Sequence, residues 1–394
     1  MEPMVTIITA CYNGERFIDT YANSILSQTY KNMELIFVDD GSRDQSAEKI
    51  KNYADEFRRR NIKFYYFYQE NQGQAVATNV ALKQMTGEYF CLYDIDDMLE
   101  SDCIEKRTTF LVHHPDCGAV RSNVWKIYEN ESDTKMHFLC KHGTENEEWI
   151  FEDVLNNKIS AFPIFYMYRT SSFDSVYPLR QIYTSRYTQD VQVILPISYF
   201  YKCGFIDEYL GTYLHRRDSH SHSYSSCIEK LELWNGWEDV WLNTIEQIRI
   251  TQKEKDVYIY KVKQRINKIR QWLLVELLWK TIDALPIDVQ NKQYFVFGAS
   301  NEGRSLVTML KQKNLQVLNF LDNDKLKHGI LVDGIRVIGI NASLIRSVEN
   351  SYILIASELY KNEIEEQLEE IGLYKKINFS FYQKYIFDCI HQCM

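Results

Sequence analysis

Carboxylate side chains follow two predicted strands of this sequence at the points where those strands end. They are Asp39, Asp40, Asp94, Asp96 and Asp97. In parallel α/β sheets, ligands bind beyond the carboxyl ends of the strands, and carboxylates placed there can hold a divalent cation that bridges a diphosphate. A single aspartate would be explained as a turn or helix-cap residue, the role predicted for Asp44 and Asp102. The last three carboxylates of the set repel one another, so they need a cation or backbone amides to neutralise them.

The elements that must position these carboxylates alternate between strand and helix. Apolar runs predict strands at residues 4–11, 33–38, 62–68 and 89–93, and helical patterns predict helices at 16–28, 45–60 and 74–85. Alternation at this spacing is typical of an α/β fold with a largely parallel sheet and helices on both faces. The carboxyl ends of the strands would then share one edge of the sheet.

Four short motifs within residues 4–220 resemble, in order and spacing, those of the family 2 glycosyltransferases. They are TACYNG at 9–14, VDDGSRD at 38–44, NQG at 71–73 and DIDD at 94–97. The resemblance implies a GT-A fold, which is an α/β nucleotide-sugar-binding domain, and inverting transfer of a sugar from a UDP-sugar donor. One departure is Ala10, which stands near the position where many members carry proline.

The resemblance also implies which residues bind the donor and a metal ion. Asp40 would accept the N–H of the nucleotide base, while Asp94 and Asp96 match the acidic motif that contacts ribose and metal. The other residues implied in nucleotide-sugar binding line the base pocket or the loop and helix beneath the donor: Ala10, Tyr12, Asn13, Asn71, Gly73 and Asn79. Asp97 is a further candidate ligand beside Asp96, and the implied cofactor is Mn²⁺ or Mg²⁺.

Inverting sugar transfer also needs a carboxylate that takes the proton of the acceptor, besides a cationic group that stabilises the departing diphosphate. Residues 187–194 match the family segment that carries this base, which makes Asp190 the predicted catalytic residue. Gln189 replaces the usual glutamate before it. The alternative is that Asp190 only caps the helix that follows. Asp174 and the pair at 152–153 have suitable chemistry but do not fit the family position.

Residues 213–221 resemble the loop that closes over the diphosphate in many members of the family. Arg216 holds the position of the family's histidine or arginine, and a guanidinium can bind a diphosphate through two hydrogen bonds. His215 becomes a candidate metal ligand instead if the register shifts by one residue. His220 and His222 lie in a serine-rich stretch and are predicted to be solvated histidines.

The sequence divides into three predicted domains: 1–222, the GT-A domain; 223–288, a helical linker region; and 289–394, a second α/β unit. The last resembles the small Rossmann-like domains of sugar-modifying enzymes. Ser300 stands where the middle glycine of a dinucleotide fingerprint belongs, and a strand ends at Asp322. We therefore expect this unit to serve assembly or ligand binding rather than catalysis.

Composition excludes several classes of protein. With 394 residues, 45% hydrophobic and 25% charged, the chain is neither disordered nor a disulfide scaffold, and its net charge of −9 argues against a nucleic-acid partner. Nine scattered cysteines predict reduced thiols. Without a recognisable leader or apolar span, a cytoplasmic protein is predicted. The basic residues within 257–282 favour a helix packed between the α/β units, with a peripheral contact at the inner membrane face as the alternative.

The leading hypothesis is an inverting, metal-assisted glycosyltransferase that moves a sugar from a UDP-sugar to a glycan, lipid-linked or protein-linked acceptor. A homo-oligomer is a candidate assembly. Two alternatives remain open: a non-catalytic scaffold that binds nucleotide sugars, and a bifunctional enzyme whose C-terminal unit uses a nicotinamide cofactor.

Overall fold

The protein consists of two compact units, Met1–Lys268 and Ile269–Met394. The computed structural model describes residues 2–129, 135–138, 148–187, 189–216, 226–282, 285–358 and 360–393. The helical region predicted at 223–288 contains the point at which the two units divide. Each unit has its own hydrophobic core.

The first unit is built mainly from strands joined by helices. Its elements are β1 (Val5–Cys11), α1 (Ile18–Leu26), β2 (Met33–Asp39), α2 (Ser46–Asn52), α3 (Ala54–Arg59), β3 (Lys63–Tyr68), α4 (Gln74–Gln84), β4 (Tyr89–Leu92), β5 (Met98–Leu99), α5 (Cys103–His113), β6 (Cys117–Tyr128), β7 (Met136–Phe138), α6 (Phe151–Leu155), β8 (Tyr166–Arg169), α7 (Thr170–Val176), α8 (Val191–Phe200), β9 (Lys202–His215) and α9 (Cys227–Gln247). The following helix, α10 (Gln252–Thr281), begins in this unit.

The strands of the first unit form one mixed sheet in the order β3-β2-β1-β4-β8-β6-β9-β5, with β7 beside β6. The pairs β1–β2, β2–β3 and β1–β4 are parallel, as the strand–helix alternation predicted. β8 runs antiparallel to both β4 and β6, so the sheet is less parallel than expected. The alternation that predicted a parallel sheet covers only residues 4–93, and the later strands follow irregular connections.

Burial on both faces explains the composition of the central strands. β2 is buried along its whole length, and β1 is buried at all but one position. Such strands read as nearly continuous apolar runs. Glu34 and Asp39 are the charged residues of β2, and the carboxylate of Glu34 accepts hydrogen bonds from Thr6, Thr86 and Gly87. These bonds satisfy the charge within the core.

The second unit has its own α/β sheet. After α10 its elements are α11 (Ile287–Gln290), β10 (Gln293–Phe297), α12 (Asn301–Gln312), β11 (Gln316–Leu321), β12 (Leu331–Val332), β13 (Ile335–Ile338), α13 (Ala342–Ser347), β14 (Ser351–Ile355), α14 (Lys361–Glu370), β15 (Phe379–Phe381) and α15 (Tyr382–Cys393). The strand order is β12-β13-β11-β10-β14-β15, and only the β12–β13 pair is antiparallel among these described strands. The chain reverses its direction of growth between β10 and β14, the kind of point where open α/β sheets bind ligands.

The described cysteines are free thiols, and all of them except Cys393 are buried. Along the described ranges of the chain, no helix combines the length and the hydropathy needed to cross a membrane.

Candidate functional site

The ends of β1 and β2 meet at a tight corner built around Asn13. Its backbone has a φ of 51°, a left-handed conformation that asparagine tolerates better than most residues. The Asn13 N–H donates to Oγ of Ser42 at 3.0 Å, and the Arg43 N–H donates to Oδ1 of Asn13 at 2.8 Å. Tyr12 is 46% exposed beside this corner, whereas Ala10 is half-buried within β1. The corner therefore presents an aromatic ring next to the end of β2.

Asp40 holds the loop that follows β3. Its carboxylate accepts hydrogen bonds from Nε2 of Gln69 at 2.7 Å and from the N–H groups of Gln72 and Gly73, both at 2.9 Å. Its carbonyl oxygen accepts from Nδ2 of Asn71 at 3.1 Å. A carboxylate has about four acceptor positions, so these three bonds leave room for one further donor. Recognition of a nucleotide base by Asp40 stays a prediction.

Asn79 links α4 to the segment that leads to Asp190. Its Nδ2 donates to the carbonyl of Ile182 at 2.9 Å, and its Oδ1 accepts from the N–H of Ile182 at 2.8 Å. The side chain is buried. The amide of Asn79 is therefore used in anchoring the chain at Ile182, and a direct contact with the donor stays a prediction.

The acidic motif after β4 contains three carboxylates in different settings. Asp94 accepts a hydrogen bond from Nε2 of Gln74 at 2.7 Å, and Asp96 forms an ion pair with Arg216. Burial and the charge of Asp96 raise the pKa of Asp94 to about 7. Burial and the neighbouring carboxylates raise the pKa of Asp97 well above its ordinary value.

Asp190 occupies the position before the first residue of α8, but its side chain makes no capping hydrogen bond with that helix. The structural alternative for this residue, a helix cap, therefore lacks its defining contact. The charge of Asp190 contributes to the raised pKa of Asp97. The predicted base is therefore near enough to the acidic motif for its charge to act on Asp97.

Tyr213 on β9 marks the place where the carboxylates converge. Burial raises its pKa, and the charges of four aspartates raise it further. They are Asp97, Asp96, Asp94 and Asp190. The ring of Tyr213 stacks on Phe162, with centroids 5.3 Å apart. The charges of the acidic motif and of the predicted base therefore act on one partly buried tyrosine, which belongs to the loop motif at 213–221.

The two residues predicted to act after β9 have aromatic neighbours. The ring of His215 lies 4.6 Å from that of Tyr128, and the guanidinium of Arg216 lies 4.7 Å from the ring of Phe17. The predictions for Thr188, for residues 217–222 with His220 and His222, and for the domain boundary at 222 lie outside the described residues.

The acidic motif offers oxygen ligands of the kind that a divalent cation binds. Oδ1 of Asp97 is buried and has no hydrogen-bond partner among the described residues. A buried carboxylate oxygen in this state suits a hard cation such as Mn²⁺ or Mg²⁺. Across the described residues, no three histidine, cysteine or acidic side chains are arranged so that they could hold a metal ion. The chemistry of the donor set fits, while the ion pair between Asp96 and Arg216 leaves the ligands short of a complete shell.

Sequence reasoning missed several residues that hold this site together. Gln74 bonds Asp94, and Gln192 bonds both the N–H and the carbonyl of Tyr183. Gln74 could have been suspected because it directly follows the glycine of the NQG motif. The partner of Gln192 lies nine residues away in irregular chain, where no periodic pattern indicates a contact.

In the second unit, the strand end that resembles a dinucleotide site is closed by internal contacts. Oδ2 of Asp322 accepts from the N–H of Ala299 at 2.9 Å and pairs with Lys327 at 3.1 Å. A Cβ on Gly303 would lie 1.9 Å from the carbonyl oxygen of Gly298, so α12 packs against the strand end at a distance that only glycine allows. The acidic side chain therefore serves the fold of this turn.

Two family models match the chain. Residues 6–176 match the model "Glycosyl transferase family 2", and residues 290–377 match the model "C2185-like, N-terminal".

Three relatives named as glycosyltransferases align with the N-terminal part. An uncharacterized glycosyltransferase of Haemophilus influenzae is 38% identical over 112 residues, which are 28% of this chain and 44% of that protein. Glycosyltransferase GlyA of Streptococcus pneumoniae is 33% identical over 154 residues, 39% of this chain and 21% of that protein. The putative teichuronic acid biosynthesis glycosyltransferase TuaG of Bacillus subtilis is 33% identical over 111 residues, 28% and 43% of the two chains. The matches cover less than half the length of each of these relatives.

Two solved structures are similar to this protein. Residues 1–349 of S. aureus TarS align with a TM-score of 0.49 and 16% identity, over 70% of this chain and 79% of that one. The mannosyltransferase PcManGT from Pyrobaculum calidifontis, in complex with GDP-Man and Mn²⁺, aligns with a TM-score of 0.47 and 16% identity, over 70% and 72% of the two chains.

Proposed function

We propose that this protein, whose residues 6–176 form a glycosyltransferase family 2 domain, transfers a sugar from a UDP-sugar to a hydroxyl group of an acceptor, with inversion at the anomeric carbon. The observation that carries the proposal is the acidic motif with the base near it: the charges of Asp94, Asp96, Asp97 and Asp190 all raise the pKa of Tyr213, and Oδ1 of Asp97 is buried without a hydrogen-bond partner among the described residues. Such a set supplies both requirements of the reaction, namely carboxylates for a cation at the leaving group and a carboxylate for the acceptor proton.

The nucleotide would bind at the ends of β1 and β2. The remaining acceptor position of Asp40 would take the N–H of uracil, and the exposed ring of Tyr12 would cover the base. Asn13 and the loop that contains Asn71 and Gly73 would enclose the ribose. Asp40 also holds this loop through its hydrogen bonds, so the same carboxylate would bind the nucleotide base and position the loop.

The diphosphate would lie against the acidic motif. Asp96 and Asp97 would hold Mn²⁺ or Mg²⁺, with His215 as a further candidate ligand, and the bound ion would neutralise the charge that develops on the departing diphosphate. The orphaned oxygen of Asp97 supports this role. The guanidinium of Arg216, which pairs with Asp96, would bind a phosphate oxygen of the diphosphate in place of that carboxylate.

Asp190 would act as the general base. It would take the proton of the acceptor hydroxyl as that oxygen forms its bond to the anomeric carbon and the bond to the diphosphate breaks. The electrons of the broken bond stay with UDP, and the new glycosidic bond has the opposite configuration. The side chain of Asp190 makes no capping hydrogen bond with α8, so a helix-capping role does not account for this residue.

The acceptor class is proposed from the relatives. TuaG bears a name that refers to teichuronic acid biosynthesis, and we infer for this protein a cell-surface glycan as acceptor, free or linked to lipid or protein. Assembly of such a glycan would take place at the cytoplasmic side of the membrane, and a lipid-linked acceptor would bring the protein to that surface.

A nucleotide-sugar panel tests the proposal. UDP- and GDP-linked sugars are incubated with the full chain, simple glycoside acceptors and Mn²⁺, and nucleotide release and the configuration of the product are measured. Consumption of a UDP-sugar that stops in EDTA supports the proposal. A protein that binds UDP-sugars without consuming any of them would instead be the non-catalytic scaffold.

The nicotinamide alternative is tested separately. Glu302 lies in the first turn of α12, where a dinucleotide pyrophosphate would have to bind, and Asp322 is engaged by Ala299 and Lys327. We therefore expect NAD(H) to leave the melting temperature unchanged, since a ligand that binds only the native state must raise it.

A further inference from the structure

The segment that leads to Asp190 carries an exposed tyrosine, Tyr187, whose ring packs on Gly236 of α9. We propose that Tyr187 is the platform on which the ring of the acceptor sugar stacks, and that Gly236 sets the position of this platform. The proposal rests on the proposed function, because it names a contact for the acceptor of that same reaction. It assigns as ligand a pyranoside with an apolar C–H face.

The ring of Tyr187 lies flat against the backbone of α9. A Cβ on Gly236 would lie 2.0 Å from Cδ2, 2.2 Å from Cγ and 2.3 Å from Cε2 of the ring, closer than real Cβ atoms come. Only glycine therefore allows the ring to rest there. The tyrosine remains 38% exposed, so the ring is supported by the helix and is still reached by solvent.

Contacts of the chain before Tyr187 fix where this segment runs. Ile182 is held by both ends of the Asn79 amide, and the hydroxyl of Tyr183 donates to Asp239 on α9 at 2.7 Å. A Cβ on Gly73 would lie 3.6 Å from Cγ of Arg186, so the residue before Tyr187 passes over the loop that Asp40 holds. Tyr187 thus directly follows a residue that packs on the proposed donor loop, and it precedes Asp190 by three positions in the chain.

Chemistry makes this ring suitable for a sugar. An aromatic face with a polar hydroxyl at its edge suits ligands that are apolar on one face and hydroxylated around the rim, as pyranosides are. A sugar stacked there would direct a rim hydroxyl towards the neighbouring carboxylate. α9 lies outside the matched residues 6–176, so this determinant would be contributed by a part of the chain beyond the family domain.

Saturation-transfer NMR on the full chain tests the platform. The probes are methyl glycosides of glucose, N-acetylglucosamine, galactose and mannose, each measured with UDP present. The wild type is compared with Tyr187→Ala, Tyr187→Phe, Gly236→Ala and the control Tyr65→Ala, which removes a tyrosine that is 44% exposed on the edge strand β3. Thermal melting establishes that each variant is folded, and alanine is a better helix former than glycine at position 236.

We expect at least one glycoside to bind the wild type and to bind Tyr187→Ala about tenfold more weakly, in line with the usual effect of truncating a tyrosine anchor. Gly236→Ala should weaken binding similarly because it displaces the ring, while Tyr187→Phe should retain most of it and Tyr65→Ala all of it. Equal binding by the wild type and Tyr187→Ala would overturn the proposal. So would the same loss in Tyr187→Phe as in Tyr187→Ala, or a wild type that binds none of the probes.

The nucleotide-release assay separates this proposal from the proposed function. If the wild type consumes a UDP-sugar and Tyr187→Ala matches its KM for the acceptor, only the platform is wrong. If no nucleotide sugar is consumed by any form of the protein, the proposed function is wrong.

Discussion

Nε of Arg216 lies 2.8 Å from Oδ2 of Asp96, which joins the end of β9 to the acidic motif 120 positions earlier in the chain. Both side chains are largely buried, with 18% and 15% of their surfaces exposed. The guanidinium also lies over the ring of Phe17. Removal of one partner of a largely buried ion pair leaves the other charge poorly compensated. Arg216 therefore sets the charge that a metal ion or a diphosphate meets at this point.

We expect Arg216→Ala to lower kcat/KM for the donor by about 10²-fold, the usual effect of losing a group that stabilises developing charge. The kcat/KM of Arg216→Lys should lie between those of the wild type and Arg216→Ala, because lysine keeps the charge but lacks the planar guanidinium. Steady-state kinetics with a UDP-sugar provide the measurement. Arg16→Ala is the matched control, since Arg16 also lies over Phe17 but pairs with Glu129 at the surface. Equal activity of Arg216→Ala and Arg16→Ala would contradict this role.

Asp40→Asn should weaken the binding of UDP about tenfold or more. The amide presents N–H groups where Gln69, Gln72 and Gly73 all donate, so at least one buried donor loses its acceptor, at a cost of about 1–3 kcal/mol. Calorimetric titration with UDP measures the effect. Asp55→Asn is the control, because Asp55 lies on the exposed face of α3 and pairs there with Arg58. Unchanged UDP affinity in Asp40→Asn would contradict the proposal that uracil binds at this end of β2.

The pH dependence of stability tests the turn that supports the corner at Asn13. Partial burial acts to raise the pKa of Asp44, but hydrogen bonds from Ser46 and from the N–H of Glu15 outweigh it, so this pKa lies below its ordinary value. The charged form is thus favoured in the folded state. Its contribution is complete above the unfolded pKa of about 3.9 and is lost as the pH falls towards the folded pKa, because the unfolded chain takes up the proton first.

Asp44→Asn should therefore lose stability relative to the wild type above pH 4, and the difference should shrink as the pH is lowered. Urea unfolding at a series of pH values from 3 to 7 measures this difference. A constant difference across the series would mean that the charge of Asp44 contributes nothing to folding.

The sequence predicted the parallel part of the sheet, because continuous apolar runs and alternation with helices determine β1 to β4. What could not be predicted are contacts between segments that are distant in the chain. The resemblance implied that Asn79 lies beneath the donor, whereas the structure shows its amide bonded to Ile182, 103 positions away. The ring of Tyr187 on Gly236 likewise depends on how α9 packs, and a single glycine in a helical pattern gives no indication of its partner.

Asp190→Asn should abolish glycosyl transfer while leaving the affinity for UDP nearly unchanged. The amide cannot take the acceptor's proton, and loss of a general base typically costs about 10²- to 10⁴-fold in rate. Asparagine is close to isosteric with aspartate and caps helices about as well, so the melting temperature should change little. Asp174→Asn provides the contrast. Asp174 accepts two hydrogen bonds of 2.8 Å from Arg180, so its replacement should lower stability and preserve transfer.

Transfer rate, UDP affinity and melting temperature measured for both variants distinguish the two carboxylates. Loss of transfer in Asp174→Asn together with near-wild-type turnover in Asp190→Asn would move the base to Asp174. That outcome would require the ion pair with Arg180 to open during turnover, because a carboxylate held by a guanidinium is a poorer base than one without such a partner. The charge of Asp190 acts on Tyr213 together with the charges of the acidic motif, which favours Asp190.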